Sequence, residues 1–140
     1  MSFTRLNYHI VFATHRRQPV LEAEHFEFLN SVIGGITKRV DGKPVKVNGW
    51  RDHVHVVCSL PATVDVASYM SKVKSQATGA LKSKFDGFGN FRWGQGYGAF
   101  TVSPRLLPEI TNYVRRQEQI HRRRAVRAEY EEWKRGRERR

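Results

Sequence analysis

Residues 44–60 read PVKVNGWRDHVHVVCSL, and the fold turns on this stretch. Pro44 to Trp50 and His53 to Leu60 are two β-like runs, and only Arg51 and Asp52 separate them. An antiparallel hairpin is therefore the simplest arrangement. Side chains two apart on a strand share a face, which sends His53 and His55 out together while Val54 and Val56 enter the opposite layer. Cys58 falls on the valine side.

Upstream, Leu6 to Thr14 alternates Tyr8, Ile10 and Phe12 with Asn7, His9 and Val11 and reads as a strand. Arg16 to Pro19 is a polar, basic break. Leu21 to Val40 then follows a helical period through Phe26, Leu29, Ile33, Ile36 and Val40, with Gly34 and Gly35 as a weak or close-packing point. Asp41-Gly42 turns the chain into the hairpin. Downstream, Thr63 caps a second helix with apolar Val66, Met70, Val73, Ala77 and Leu81. Asp86 to Gly98 is a glycine-rich loop, Ala99 to Val102 a short strand, and Pro108 suits the first turn of a third helix. That helix carries Ile110, Tyr113, Val114 and Gln117. A Pro only five residues before Tyr113 requires it to start late or bend. The order β-α-β-β-α-β-α matches an α+β, ferredoxin-like (RRM-like) antiparallel sheet with helices on one face and an added C-terminal helix. One domain is expected over residues 1–121, with 122–140 as its basic helical tail.

The 140 residues fit a single domain, and 25 Lys plus Arg against 13 Asp plus Glu give a formal charge of +12. Such a surface is drawn to a polyanion, nucleic acid first. A single cysteine, Cys58, excludes an internal disulfide framework and a Cys-rich zinc site. No signal peptide or apolar span of about 20 residues is evident, so a cytoplasmic protein without a membrane partner is expected.

The chemistry starts at His53 and His55. Neighbouring neutral imidazoles are good ligands for divalent metals, but two cannot close a site. A nucleotide-transferring histidine triad wants a further histidine where Val57 stands. A phosphoesterase with paired motifs wants a second His-x-Ser/Thr, which His9, His15, His25 and His121 do not supply. The third helix offers a complement, since Tyr113 and Gln117 stand four apart on one helical face. A tyrosine can act as a covalent nucleophile, and an amide oxygen is a plausible third metal ligand. Taken alone, Tyr113 reads better as an ordinary packing residue.

Together, His53-Val54-His55, the run Gly96-Tyr97-Gly98-Ala99-Phe100-Thr101-Val102-Ser103, and Tyr113-Val114-Arg115-Arg116-Gln117 resemble the bacterial single-tyrosine HUH transposases, of the IS-two-hundred type and their REP-associated relatives. The opening Tyr8-His9-Ile10-Val11-Phe12 is similar to that family's first strand, and the likeness covers about residues 5–133. The resemblance implies Mg²⁺ or Mn²⁺ held by His53, His55 and Gln117, with Tyr113 attacking single-stranded DNA to leave a 5′-phosphotyrosine and a free 3′-OH. It also implies hairpin-forming DNA ends and a homodimer whose tyrosine helix completes the partner's site. The short connection before the third helix favours that trans arrangement.

Arg16, Arg17, Lys74, Arg92, Arg115 and Arg116 are the basic residues expected to meet DNA, although helix solubility explains the lysines of the second helix as well. Trp50, Phe91, Trp93 and Tyr97 are candidates to stack on bases, with burial the better reading for Trp50 and Phe91. A domesticated relative that binds structured single-stranded DNA or RNA without cleaving it is the alternative. The His53, His55, Tyr113 and Gln117 constellation favours the enzyme.

Overall fold

The computed structural model describes residues 2–121, so the expected 122–140 tail lies outside the described residues. Four strands, β1 (Asn7–Ala13), β2 (Lys43–Trp50), β3 (His53–Ser59) and β4 (Gly98–Val102), form one antiparallel sheet in the order β2-β3-β1-β4. Helix α1 (Ala23–Arg39) links β1 to β2, and α2 (Val66–Lys84) precedes β4. This is the expected ferredoxin-like topology. Apolar Ile10, Phe12, Val54, Val56 and Cys58 on one sheet face pack with Leu29, Ile33, Met70, Val73 and Ala77 of the two helices. Among the described residues no helix is long and apolar enough to cross a membrane.

Two local expectations change. Asp65, not Thr63, caps α2: its carboxylate accepts the Ser68 N–H at 2.9 Å. That bond also holds the Asp65 carboxyl below its ordinary range. The third helix does not start late. A 3₁₀ turn over Pro104–Leu106 leads into α3 (Leu107–Arg115) with Pro108 in its first turn. It breaks instead at Arg116 (φ −97°, ψ 22°), and Gln117 opens a separate short helix, α4 (Gln117–His121). Tyr113 and Gln117 are therefore not on one continuous helix.

The helix α3 covers the sheet face opposite α1 and α2. Val57 and Val102 meet Ile110 and Val114 there in a second, smaller apolar cluster. Asn48 of β2 completes the docking, its Nδ2 donating to the carbonyls of Val114 and Arg115 at 3.2 and 3.1 Å. These carbonyls belong to the last turn, which lacks helical partners. A side chain from the sheet thus ends α3 and lets the chain turn inward at Arg116.

Candidate active site

Strand parity builds the site floor. His53 and His55 of β3 share the α3-facing surface with Val57, while Cys58 lies in the other layer, as expected. Burial pushes the Cys58 thiol up to about 11, which leaves it a neutral core group. The hairpin itself depends on Gly49: a Cβ there would collide with the His53 carbonyl oxygen and the Phe26 ring. Arg51 takes φ 50° in the two-residue turn.

Around the two imidazoles, which are 3% and 4% exposed, five further groups converge. Gln117 is fully buried, with Oε1 3.1 Å from His53 Nε2 and 3.0 Å from His121 Nε2. The His121 ring lies edge-on to His53 at 4.7 Å. His9 of β1 places Nε2 2.7 Å from His55 Nδ1, and Asp52 places Oδ1 3.1 Å from His53 Nδ1. The Tyr113 ring stands edge-on to His55, 6.0 Å between centroids. Tyr113 thus reaches the histidines of its own chain. The turn Pro104–Leu106 and the start of α3 at Leu107 bring it back over β3 within the single chain.

Burial, then the neighbouring His53, His9 and His121, hold His55 well below its ordinary value of 6.5. It is therefore the neutral, ligating form of imidazole at pH 7. His53 is oriented to donate Nδ1–H to the Asp52 carboxyl oxygen, and in that tautomer its Nε2 lone pair faces Gln117 Oε1. In that tautomer two acceptors face each other at 3.1 Å, an arrangement that a cation between them would reconcile. Among the described residues no trio of His, Cys, Asp and Glu side chains is set to hold a metal. The set that converges here has an amide oxygen as its third member. His53, His55 and Gln117 fit a divalent ion.

The basic residues fall into separate places. Arg16 and Arg17, both at left-handed φ (54° and 56°), form an exposed turn beside the His53 end of β3, and Arg17 lies 3.9 Å from Asp52. Arg92 joins this turn by donating to His15 Nε2 at 2.8 Å. Partial burial, then the Arg92 and Arg16 charges, lower the affinity of His15 for a proton. Lys74 is turned to the loop, its ammonium donating to the Gly94 and Gly96 carbonyls at 2.9 and 2.7 Å. Arg115 and Arg116 are exposed at the α3 break. Phe91 and Trp93 are buried, Trp93 donating to the Lys74 carbonyl, so neither offers a free stacking face. Trp50 is half-buried under the Arg51 guanidinium, and Tyr97 is 40% exposed.

Sequence reasoning passed over His9 and left His121 without a role, and it gave none to Asp52 or Asn48. The alternation in β1 already put His9 on the face away from Ile10 and Phe12. Only the central pairing of β1 with β3, however, sets it diagonally beside His55. His121 is one helical turn beyond Gln117, a spacing visible in the sequence.

The ferredoxin-like sheet thus carries a His-x-His pair, a tyrosine and a glutamine together on its α3-covered face. The family described as "Transposase IS200 like" matches residues 2–117, and this chain belongs to it. It is 24% identical over 127 residues to the transposase for insertion sequence element IS200 of Salmonella typhimurium strain LT2, covering 84% of this chain and 81% of that one. The same values relate it to the corresponding transposase of Salmonella typhi. Two solved structures share the fold. One is a candidate transposase of Deinococcus radiodurans R1, with a TM-score of 0.64, 22% identity, and 83% of this chain and 93% of that one covered. The other is a REP-associated tyrosine transposase bound to a REP hairpin, with a TM-score of 0.62, 17% identity, and 86% and 74% covered.

Proposed function

We propose that this transposase-family protein nicks and rejoins single-stranded DNA through a 5′-phosphotyrosine on Tyr113, in a site complete within one chain. The observation that carries the reading is the convergence of Tyr113, His53, His55 and Gln117 on one sheet face. A divalent ion, Mg²⁺ or Mn²⁺, held by His53, His55 and Gln117 supplies Lewis-acid polarisation of the scissile phosphodiester. Two imidazole nitrogens and one amide oxygen suit Mn²⁺ at least as well as Mg²⁺. The Tyr113 hydroxyl oxygen bonds to phosphorus, the P–O3′ bond breaks, and the phenolic proton ends on the departing 3′ oxygen. Attack by a second 3′-OH reverses these events and joins new strands, because the tyrosyl ester conserves the bond. The Arg16–Arg17 turn lies where a strand entering over His53 presents its phosphates. A folded-back hairpin is the substrate form favoured by the hairpin on the REP-associated neighbour.

Incubation with single-stranded DNA from the flanking genomic region, followed by a denaturing gel, tests this. A protein–DNA adduct is expected with Mn²⁺ and is expected to vanish in chelator and in Tyr113→Phe, which keeps the ring. Adduct in chelator rejects the metal, and adduct in Tyr113→Phe rejects the nucleophile. Salt-sensitive DNA binding with no adduct under any condition selects the non-cleaving relative.

A further inference from the structure

His9 is buried to 0% exposure on the central strand β1, yet the reaction outlined above gives it nothing to do. An imidazole that far from water needs a reason, because burying a polar group costs free energy unless it is bonded. Its Nε2 lies 2.7 Å from His55 Nδ1, and the two rings are stacked with centroids 5.0 Å apart. The register pairs His9 with Val57 and Val11 with His55, so the contact is a diagonal one across the sheet, held rigid by the β1–β3 ladder.

Either ring can hold the shared proton, and the choice decides what His55 presents to the site. If His9 donates, His55 carries its proton on Nε2 and has no lone pair there. If His55 donates from Nδ1, its Nε2 carries the lone pair that can ligate. His53 offers the parallel, since its Nδ1–H can only donate to the Asp52 carboxylate. Ligating histidines are generally oriented this way by a partner behind the ring.

We propose that His9 is a positioning residue that accepts the Nδ1–H of His55, fixing that tautomer and aiming His55 Nε2 at the metal. The proposal rests on the reading of His55 as a metal ligand. Asp52 and His9 then play matched parts, one behind each ligating ring, and His9 keeps its own proton on Nδ1.

The test uses metal-free protein with ¹⁵N-labelled histidine, in which long-range ¹H–¹⁵N correlations report the tautomer of each ring. The expected result is His55 protonated on Nδ1 and His9 protonated on Nδ1. Direct Mn²⁺ titration by electron paramagnetic resonance is expected to show affinity 10–100-fold weaker in His9→Phe, which keeps a ring but no acceptor. His9→Gln, which puts an amide acceptor near the same place, is expected to restore most of it. An Nε2–H tautomer on His55 in the wild-type protein overturns the proposal, and so does unchanged Mn²⁺ affinity in a folded His9→Phe. If His9→Phe fails to fold, the wild-type tautomer and the His9→Gln titration decide. Wild-type protein with the Nδ1–H tautomer but no Mn²⁺ binding overturns the metal reading alone and leaves the assigned hydrogen bond standing.

Discussion

One residue of parity separates chemistry from core in β3. His53 and His55 face the α3 side of the sheet, whereas Cys58 joins Val54 and Val56 under α1 and α2. A slip of one residue in register exchanges the two sets, so the whole site rests on this alternation. Thiol reactivity reports it directly. With its pKa raised to about 11 by burial, Cys58 stays a thiol through pH 8, and the thiolate is the reactive form. Native protein at pH 8 is expected to resist alkylation and to react promptly in urea. Prompt native alkylation means that Cys58 does not lie in the core layer. This part of the site was legible in the sequence, because period-two alternation needs no tertiary information. The placement of Asp52, His9 and His121 around those rings was not, since each depends on which ring lies across a strand or a turn.

Among the elements, the β2–β3 hairpin carries the tightest constraint. Gly49 is the position where the backbone of β3 and the Phe26 ring leave no room for a Cβ. Gly49→Ala is expected to cost about 1–3 kcal/mol of stability by overpacking and to displace His53, lowering metal affinity as well. Urea unfolding with Mn²⁺ titration checks both, and an unperturbed variant refutes the close approach. Element order, hairpin and helix faces followed from hydrophobic period. The break at Arg116 did not, because no Gly or Pro marks it. Asn48, distant in sequence, takes the last carbonyls of α3. Lys74 shows the same limit, since helical spacing gave its exposed side but not the loop carbonyls that occupy its ammonium.

For the whole molecule, the +12 charge and the cis placement of Tyr113 make separate claims. DNA affinity is expected to fall by orders of magnitude from low to moderate salt. If Arg16 and Arg17 each neutralise a phosphate, their joint replacement by Ala reduces the log–log salt slope by about 1.4 for a single strand. An unchanged slope removes that turn from the DNA path. A co-expressed mixture of His53→Ala and Tyr113→Phe chains is expected to stay inactive, because neither chain holds a whole site. Restored cleavage demands trans assembly. The central claim, that Tyr113 is the nucleophile, is tested most directly by peptide mapping of the covalent adduct in a mass spectrometer. The account predicts a nucleotide-bearing phosphate on the peptide containing Tyr113, and the same mass on a peptide containing Tyr97 or Tyr130 instead would contradict it.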